Sequence, residues 1–291
     1  MWGAPRCGIN AGTRRAQIAT DDHPDGVIVR RHRLSTRAWH WLNVIAVLTL
    51  LMSGLSIFNA HPRLYWGEYG ANFDRAWLKI DTTRDGQRGY LAVGSLRVET
   101  TGVLGLWEKD GRWTSRAFPH WMTLPSHYSL SEGRKYHFLG AWLLAIAGAL
   151  YLVWSLVNRH VTRDLLPRRV ELSPRHLWQD VKDHARLRFP RGEAAARYNV
   201  LQKLAYLLVL FVLLPVIVLT GLGMSPMMNA GWGWILDLFG GRQSARSVHF
   251  LAAFALVIFI VVHLLMVLLA GPVNEVRSMI TGRFRLPPEK V

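Results

Sequence analysis

The stretch His249-Phe-Leu-Ala-Ala-Phe-Ala-Leu-Val-Ile-Phe-Ile-Val-Val-His263-Leu-Leu-Met-Val-Leu-Leu-Ala270 decides the architecture. It contains no Asp, Glu, Lys or Arg. As a helix rising about 1.5 Å per residue it can cross the roughly 30 Å hydrocarbon layer of a bilayer. Its two histidines are fourteen residues apart, roughly 21 Å along a helix axis. At about 100° per residue those fourteen steps end about 40° short of four full turns. Both imidazoles therefore leave nearly the same face, one towards each side of the membrane. Polar, ionisable groups at membrane depth are costly and are read as functional first.

Three more runs have spanning length: His40–Phe58, Tyr136–Val157 and Val200–Leu222, the last interrupted by Pro215. Such a proline is tolerated where neighbours satisfy the freed carbonyl. Ser35 or Thr36 is the expected N-cap of the first run. Four apolar runs of this length argue against the helices of a large soluble protein. The expected fold is an all-α membrane protein, a four-helix bundle with helices at about 36–58, 132–158, 200–223 and 246–270. A hydrophobic share of 51 % and 13 Trp agree, since Trp anchors chains at membrane interfaces.

The formal charge of +16 would suggest a nucleic-acid partner in a soluble chain. Here the charge lies between apolar runs and gives orientation instead, so lipid, and no nucleic acid, is the expected partner. Residues 1–39 carry seven Lys/Arg against three Asp/Glu, 158–199 ten against five, and the tail from Gly271 four against two. Residues 224–247 hold only Arg242, Arg246 and Asp237. By the positive-inside rule both termini and the 159–199 loop are expected to be cytoplasmic. Residues 1–34 read as a flexible tail without a secretory signal. The outer segment, 60–131, is too long for a bare loop. Turn signals at Asp85-Gly86 and Asp110-Gly111, with strand-like runs at Tyr90–Val93 and Leu96–Val98, predict a small extracytoplasmic cap of partly β structure. Gly231–Phe239 reads as a short interfacial helix anchored by Trp232 and Trp234.

Of twelve histidines, His40, His137, His249 and His263 lie in or at the ends of the apolar runs. Each taken singly could equally be a helix–helix hydrogen bond. With the N-terminus inside, His137 and His249 share the outer depth, and His40 and His263 the inner. Each pair could fill both axial positions of one haem iron, leaving no open site, which suits electron transfer. The third helix has no histidine and is expected only to pack. Arg37, Arg134 and Arg246 each precede a histidine by three residues, on the same helix face. They are candidates to hold haem propionates, or ordinary interfacial arginines. Gly54, Gly140 and Gly148 could admit a porphyrin or serve helix packing. Trp39, Trp41, Phe138 and Phe250 could wall the pockets, although anchoring and packing are commoner roles. The other histidines, His23, His32, His61, His120, His127, His160, His176 and His184, read as solvated or locally satisfied. The single cysteine, Cys7, excludes an internal disulfide, covalent Cys-x-x-Cys-His haem attachment and a cysteine-ligated iron–sulfur cluster.

Six stretches now show a likeness: Arg37-Ala-Trp-His-Trp-Leu-Asn43, Ser53-Gly-Leu-Ser-Ile-Phe-Asn59, Arg134-Lys-Tyr-His-Phe138, Thr220-Gly-Leu-Gly-Met-Ser-Pro226, Arg246-Ser-Val-His-Phe250 and Val262-His263. Over roughly Arg30 to Gly282 the chain resembles the bacterial di-haem b-type cytochrome subunits (cytochrome b561-like) of nickel-iron hydrogenases, formate dehydrogenases and thiosulfate reductases. Phe58-Asn-Ala-His-Pro-Arg-Leu-Tyr-Trp-Gly67 looks closest to the thiosulfate-reductase branch. The resemblance implies two haems b, exchange of electrons with quinone or quinol, and a periplasmic partner redox subunit that is often a molybdopterin enzyme. It implies the bacterial inner membrane and an electron-transfer subunit of an oxidoreductase rather than a stand-alone enzyme. The neighbourhood of His40 and the 159–199 loop is where the quinone is expected on resemblance, and the outer segment is a candidate docking surface. A proton-relay transporter is the alternative, but no acidic residue lies in the four runs to serve it. The histidine pattern alone also leaves haem biogenesis or ferric reduction open.

Overall fold

In the computed structural model the chain is described over residues 27–159, 161, 165–186 and 199–286. The tail residues 1–26, with His23, and His160 lie outside the described residues, as does the side chain of His184. Four helices have membrane-spanning length and composition: α1 (Leu34–Phe58), α2 (Leu130–Val157), the continuous helical run Val200–Met224, and α8 (Arg242–Ala270). The protein is thus a multi-pass membrane protein. The spans turn large apolar side chains such as Ile45, Leu139, Leu150, Phe254 and Leu268 outwards, as a lipid-facing surface requires.

The third span is α4 (Val200–Leu208), a π-helical turn at Val209–Leu213, and α5 (Leu214–Met224). The wide turn falls immediately before Pro215. A proline has no N–H and its ring crowds the carbonyl four residues back, and one extra residue in the turn relieves the clash without ending the helix. Asn199 and Gln202 close a reciprocal capping box at its start. The N-cap expected at Ser35 or Thr36 is not there: α1 begins at Leu34 behind Arg33, whose side chain makes no capping bond. Ser129 does cap α2, accepting from the Glu132 N–H.

The spans pack as two antiparallel hairpins, α1 against α2 and α5 against α8, and no comparably close helix pairing joins one hairpin to the other. The cap lies between α1 and α2 in sequence and covers one end of the bundle. Its strands are β2 (Arg63–Leu64), β3 (Leu78–Thr82), β4 (Gly89–Val93) and β5 (Leu96–Glu99) in one antiparallel sheet, order β2-β3-β4-β5. A separate hairpin joins β6 (Gly105–Lys109) to β7 (Arg112–Arg116). The β6–β7 turn is Asp110-Gly111, both residues at positive φ, the geometry that matches strand twist. Phe58, Leu64, Leu78, Ile80, Ala117 and Phe118 form the core of the cap, with Phe250 of α8 packed against it. Asn59 holds the backbone of Phe118 at both edges, donating to its carbonyl at 3.1 Å and accepting from its N–H at 2.8 Å.

Two further expectations, the tail boundary and the short interfacial helix, are corrected. The tail placed at 1–34 ends earlier: β1 (Ile28–Arg30) pairs antiparallel with β8 (Arg283–Arg285). That clasp holds because the Arg31 guanidinium meets the Glu275 carboxylate at 3.0 Å, and Glu275 lies on α9 (Pro272–Thr281). The 159–199 loop contains a helix, α3 (Pro174–Ala185). The helix read over Gly231–Phe239 is shorter, α7 (Trp234–Leu238), and a separate helix, α6 (Pro226–Gly231), precedes it across Trp232-Gly233. Trp232 and Trp234 are both exposed there.

Candidate functional site: two stacked imidazole pairs

The four intramembrane histidines meet in two pairs. At the capped end His137 of α2 faces His249 of α8, with ring centres 6.2 Å apart. At the opposite end His40 of α1 faces His263 of α8, with ring centres 6.4 Å apart. Each pair reaches from one hairpin to the other across the line where the helices stay apart. A metal ion lies about 2 Å from an imidazole nitrogen, itself roughly 1 Å from the ring centre, so two imidazoles sharing one ion have centres about 6 Å apart. Both pairs have that span. Among the described residues no group of three or more His, Cys, Asp or Glu could hold a metal ion. Two protein ligands per site suit a macrocycle that brings its own equatorial donors.

The capped-end pair has a supporting shell. Ser53 Oγ is 3.1 Å from His137 Nδ1, and Thr220 Oγ1 is 2.9 Å from His249 Nδ1. Both hydroxyl residues are fully buried. Each is followed by a glycine against the same ring: a Cβ at Gly54 would lie 3.4 Å from His137 Cε1, and one at Gly221 would lie 3.5 Å from His249 Cε1. The two hairpins therefore repeat one device, Ser53-Gly54-Leu55 serving Arg134-x-x-His137-Phe138 and Thr220-Gly221-Leu222 serving Arg246-x-x-His249-Phe250. The expectation that the third helix only packs is corrected, since Thr220 lies on it. The doubled motif was the sequence signal that could have shown this. At the opposite end His40 Nδ1 is buried without a hydrogen-bond partner, and Phe259 stacks on His263 with ring centres 6.0 Å apart.

The arginines part company. Arg37 donates to the Ile280 carbonyl, clipping the end of α9 to the start of α1. Arg246 is partly buried, donates to the His61 carbonyl and lies over the Phe58 ring at 5.6 Å. Arg134 is exposed. Missed in the sequence was Arg277 on α9, whose Nε and Nη2 are buried without a partner. Gly140 receives Leu50, and Gly148 receives Trp39, so both serve helix packing. Trp39 stacks on Tyr151 with centres 5.2 Å apart. Trp41 meets the His40 ring edge-on and donates to the Met279 carbonyl. Phe138 is exposed, and Phe250 packs tilted against Phe58 with ring centres 5.0 Å apart.

Of the remaining histidines, His61 is locally satisfied, its Nε2 3.2 Å from the Tyr65 hydroxyl. Burial, then Arg246 and Arg63, hold its pKa below the ordinary value. His127 pairs with Glu132, and His176 lies 4.0 Å from Asp180. His32 is not solvated. It is 8 % exposed, and burial, followed by Arg31, His40 and Arg37, pushes its pKa down to about 4. His120 packs on Trp107 with its Nδ1 buried and unpartnered.

A membrane-embedded helical bundle with paired imidazoles stacked along one helix is the architecture of a membrane b-type cytochrome. Comparison with known proteins agrees. Residues 31–282 match the family model described as prokaryotic cytochrome b561, and the chain belongs to that family, whose members bind haem b and carry electrons. It is 28 % identical over 233 residues to YedZ1 of Azospira oryzae, named as a protein-methionine-sulfoxide reductase subunit, covering 80 % of this chain and 87 % of that one. It is 22 % identical over 292 residues to a protein of Cupriavidus necator named as a Ni/Fe-hydrogenase B-type cytochrome subunit, covering 96 % and 95 %. A protein of Azotobacter vinelandii with the latter name is 28 % identical over 147 residues, 47 % of this chain and 60 % of its own. No solved structure matches the chain significantly.

Proposed function

We propose that the chain carries two haems b, one held by His137 and His249 and the other by His40 and His263. It passes electrons between the membrane quinone pool and a partner redox subunit. The observation that carries the reading is the pair of near-equal imidazole spans, 6.2 and 6.4 Å, facing one another between the hairpins. When bound, haem supplies a one-electron iron couple. The chain's own work is to present neutral imidazole nitrogens, hold the two sites roughly 21 Å apart along α8, and keep water away from them. A haem held by two histidines at each site would supply electron transfer rather than oxygen binding. Arg246, with donors left beyond the His61 carbonyl, is the best placed of the three arginines to meet a propionate, with Arg37 next and the exposed Arg134 last. Arg277 joins them at the end away from the cap.

The basic residues outside the spans favour the inner membrane with both termini cytoplasmic, which places the cap in the periplasm. On that orientation the cap is the docking face for a periplasmic oxidoreductase, in this branch a molybdopterin-dependent one of thiosulfate-reductase type. Support for a partner comes from the three relatives, all of which are named as subunits. Quinone then reacts at the opposite end, beside His40. The test is haem quantification by pyridine haemochrome on protein purified in mild detergent, with reduced-minus-oxidised spectra and reduction by a short-chain quinol. Two non-covalent haems b per chain are expected, with one lost in His137→Ala or His40→Ala and both lost in the His249→Ala/His263→Ala double variant. Haem-free protein from cells with ample haem would overturn the reading.

A further inference from the structure

Ser53 and Thr220 each have one hydroxyl proton to donate. Ser53 Oγ lies 2.6 Å from the Thr49 carbonyl, and Thr220 Oγ1 lies 2.7 Å from the Val216 carbonyl, four residues back on their own helices. A carbonyl can only accept. With the hydroxyl proton committed there, the contact to the histidine must run the other way, Nδ1–H donating to the hydroxyl oxygen. The proton of each imidazole is thereby held on Nδ1, and the Nε2 lone pair is left free. At the other end nothing comparable exists among the described residues: His40 Nδ1 is buried without a partner.

From this we infer that Ser53 and Thr220 are positioning residues for the capped-end site. Through the chain Nδ1–H to hydroxyl to backbone carbonyl they fix the tautomer and ring orientation of His137 and His249. They also make the two imidazole sites electronically unequal. An imidazole that donates from Nδ1 is a stronger donor from Nε2 and favours the oxidised metal. The capped-end couple is therefore set lower than it would be without the two bonds. Gly54 and Gly221 lie against the same rings, where anything larger than a Cβ would press on Cε1. The inference rests on the histidine-ligated haem reading above.

The test is a potentiometric titration, followed optically and by low-temperature EPR, of wild type, Ser53→Ala, Thr220→Val and their combination. Haem per chain is measured in each, so that haem-free wild type would condemn the underlying reading rather than this one. A hydrogen bond of ordinary net worth moves an equilibrium roughly two- to tenfold, and tenfold in a one-electron couple is about 59 mV. Each variant is expected to raise the potential of the same couple within that range and to change its ferric g-values, leaving the second couple in place. The double variant shifts further, and Ser53→Thr and Thr220→Ser restore the wild-type values. Loss of one haem in Ser53→Ala, recovered in Ser53→Thr, would support the orienting role equally. Unchanged potentials and g-values with both haems retained would overturn the inference. So would a haem loss that the hydroxyl-bearing substitutions fail to repair.

Discussion

Ser247→Ala is the perturbation whose cost the structure specifies most fully. Ser247 is fully buried and lies two residues before His249. Its hydroxyl accepts from the Trp77 indole Nε1 at 2.9 Å and donates to the Tyr65 carbonyl at 2.5 Å. One side chain thus ties the cap to α8 beside the capped-end site. Alanine there leaves the Tyr65 carbonyl and the part-buried Trp77 indole N–H unpaired, at about 1–3 kcal/mol each, so a loss of roughly 2–6 kcal/mol is expected. Trp77→Phe removes one of those groups while keeping a ring under Trp66, which stacks on it. The double variant should then cost about 1–2 kcal/mol less than the sum of the single ones, because the orphaned indole N–H is gone. Unfolding by SDS titration in mixed micelles, followed by far-UV circular dichroism, measures all four corners of the cycle. Strict additivity, or a loss under about 0.5 kcal/mol for Ser247→Ala, would refute the claim that this hydroxyl couples cap and bundle.

Two more outcomes are expected. Leu at Gly54 or Gly221 drives side-chain atoms into the rings of His137 or His249 and should lower haem content by one per chain, whereas Ala, whose Cβ would only touch Cε1, should retain it; pyridine haemochrome counts on the four variants decide the point. Asp81 accepts from Lys79 and Arg63 at 2.9 and 3.0 Å. Burial raises its pKa, but the bonds from Lys79, the Thr82 N–H and Arg63 outweigh this and the net displacement is downward. A depressed carboxylate stabilises the cap above its unfolded pKa, about 3.9, and loses that contribution as pH falls below it. Asp81→Asn should cost about 1 kcal/mol near neutrality and lessen the acid sensitivity of the cap, as hydrogen exchange of β3 and β4 would report.

Much of the molecule is legible in its residues. A bilayer imposes one length and one polarity on a spanning helix, so four apolar runs announce four spans. Because a helix repeats at 3.6 residues, the fourteen-residue interval from His249 to His263 already places two imidazoles on one face. Helix direction matched their partners by depth, and His137 and His40 are where that argument puts them. Strand pairs in the cap followed from turn residues, Asp110-Gly111 above all.

Other features depend on contacts between segments distant in sequence, and no local pattern encodes those. The clasp of β1 on β8 joins residues more than 250 positions apart, and Arg31 with Glu275 fixes it. Arg37 and Arg246 shared a spacing and an expected role, yet one closes the end of α9 and the other the turn at His61. Thr220 looked like part of a packing helix until α5 met α8 and its hydroxyl came to lie 2.9 Å from His249 Nδ1. Composition and periodicity were sufficient for the spans and the imidazole pairs, because the membrane acts on each helix separately. Which partner each supporting hydroxyl, glycine and arginine takes was decided by folding, since a hydrogen bond needs both partners within about 3 Å and only the packed hairpins bring them there.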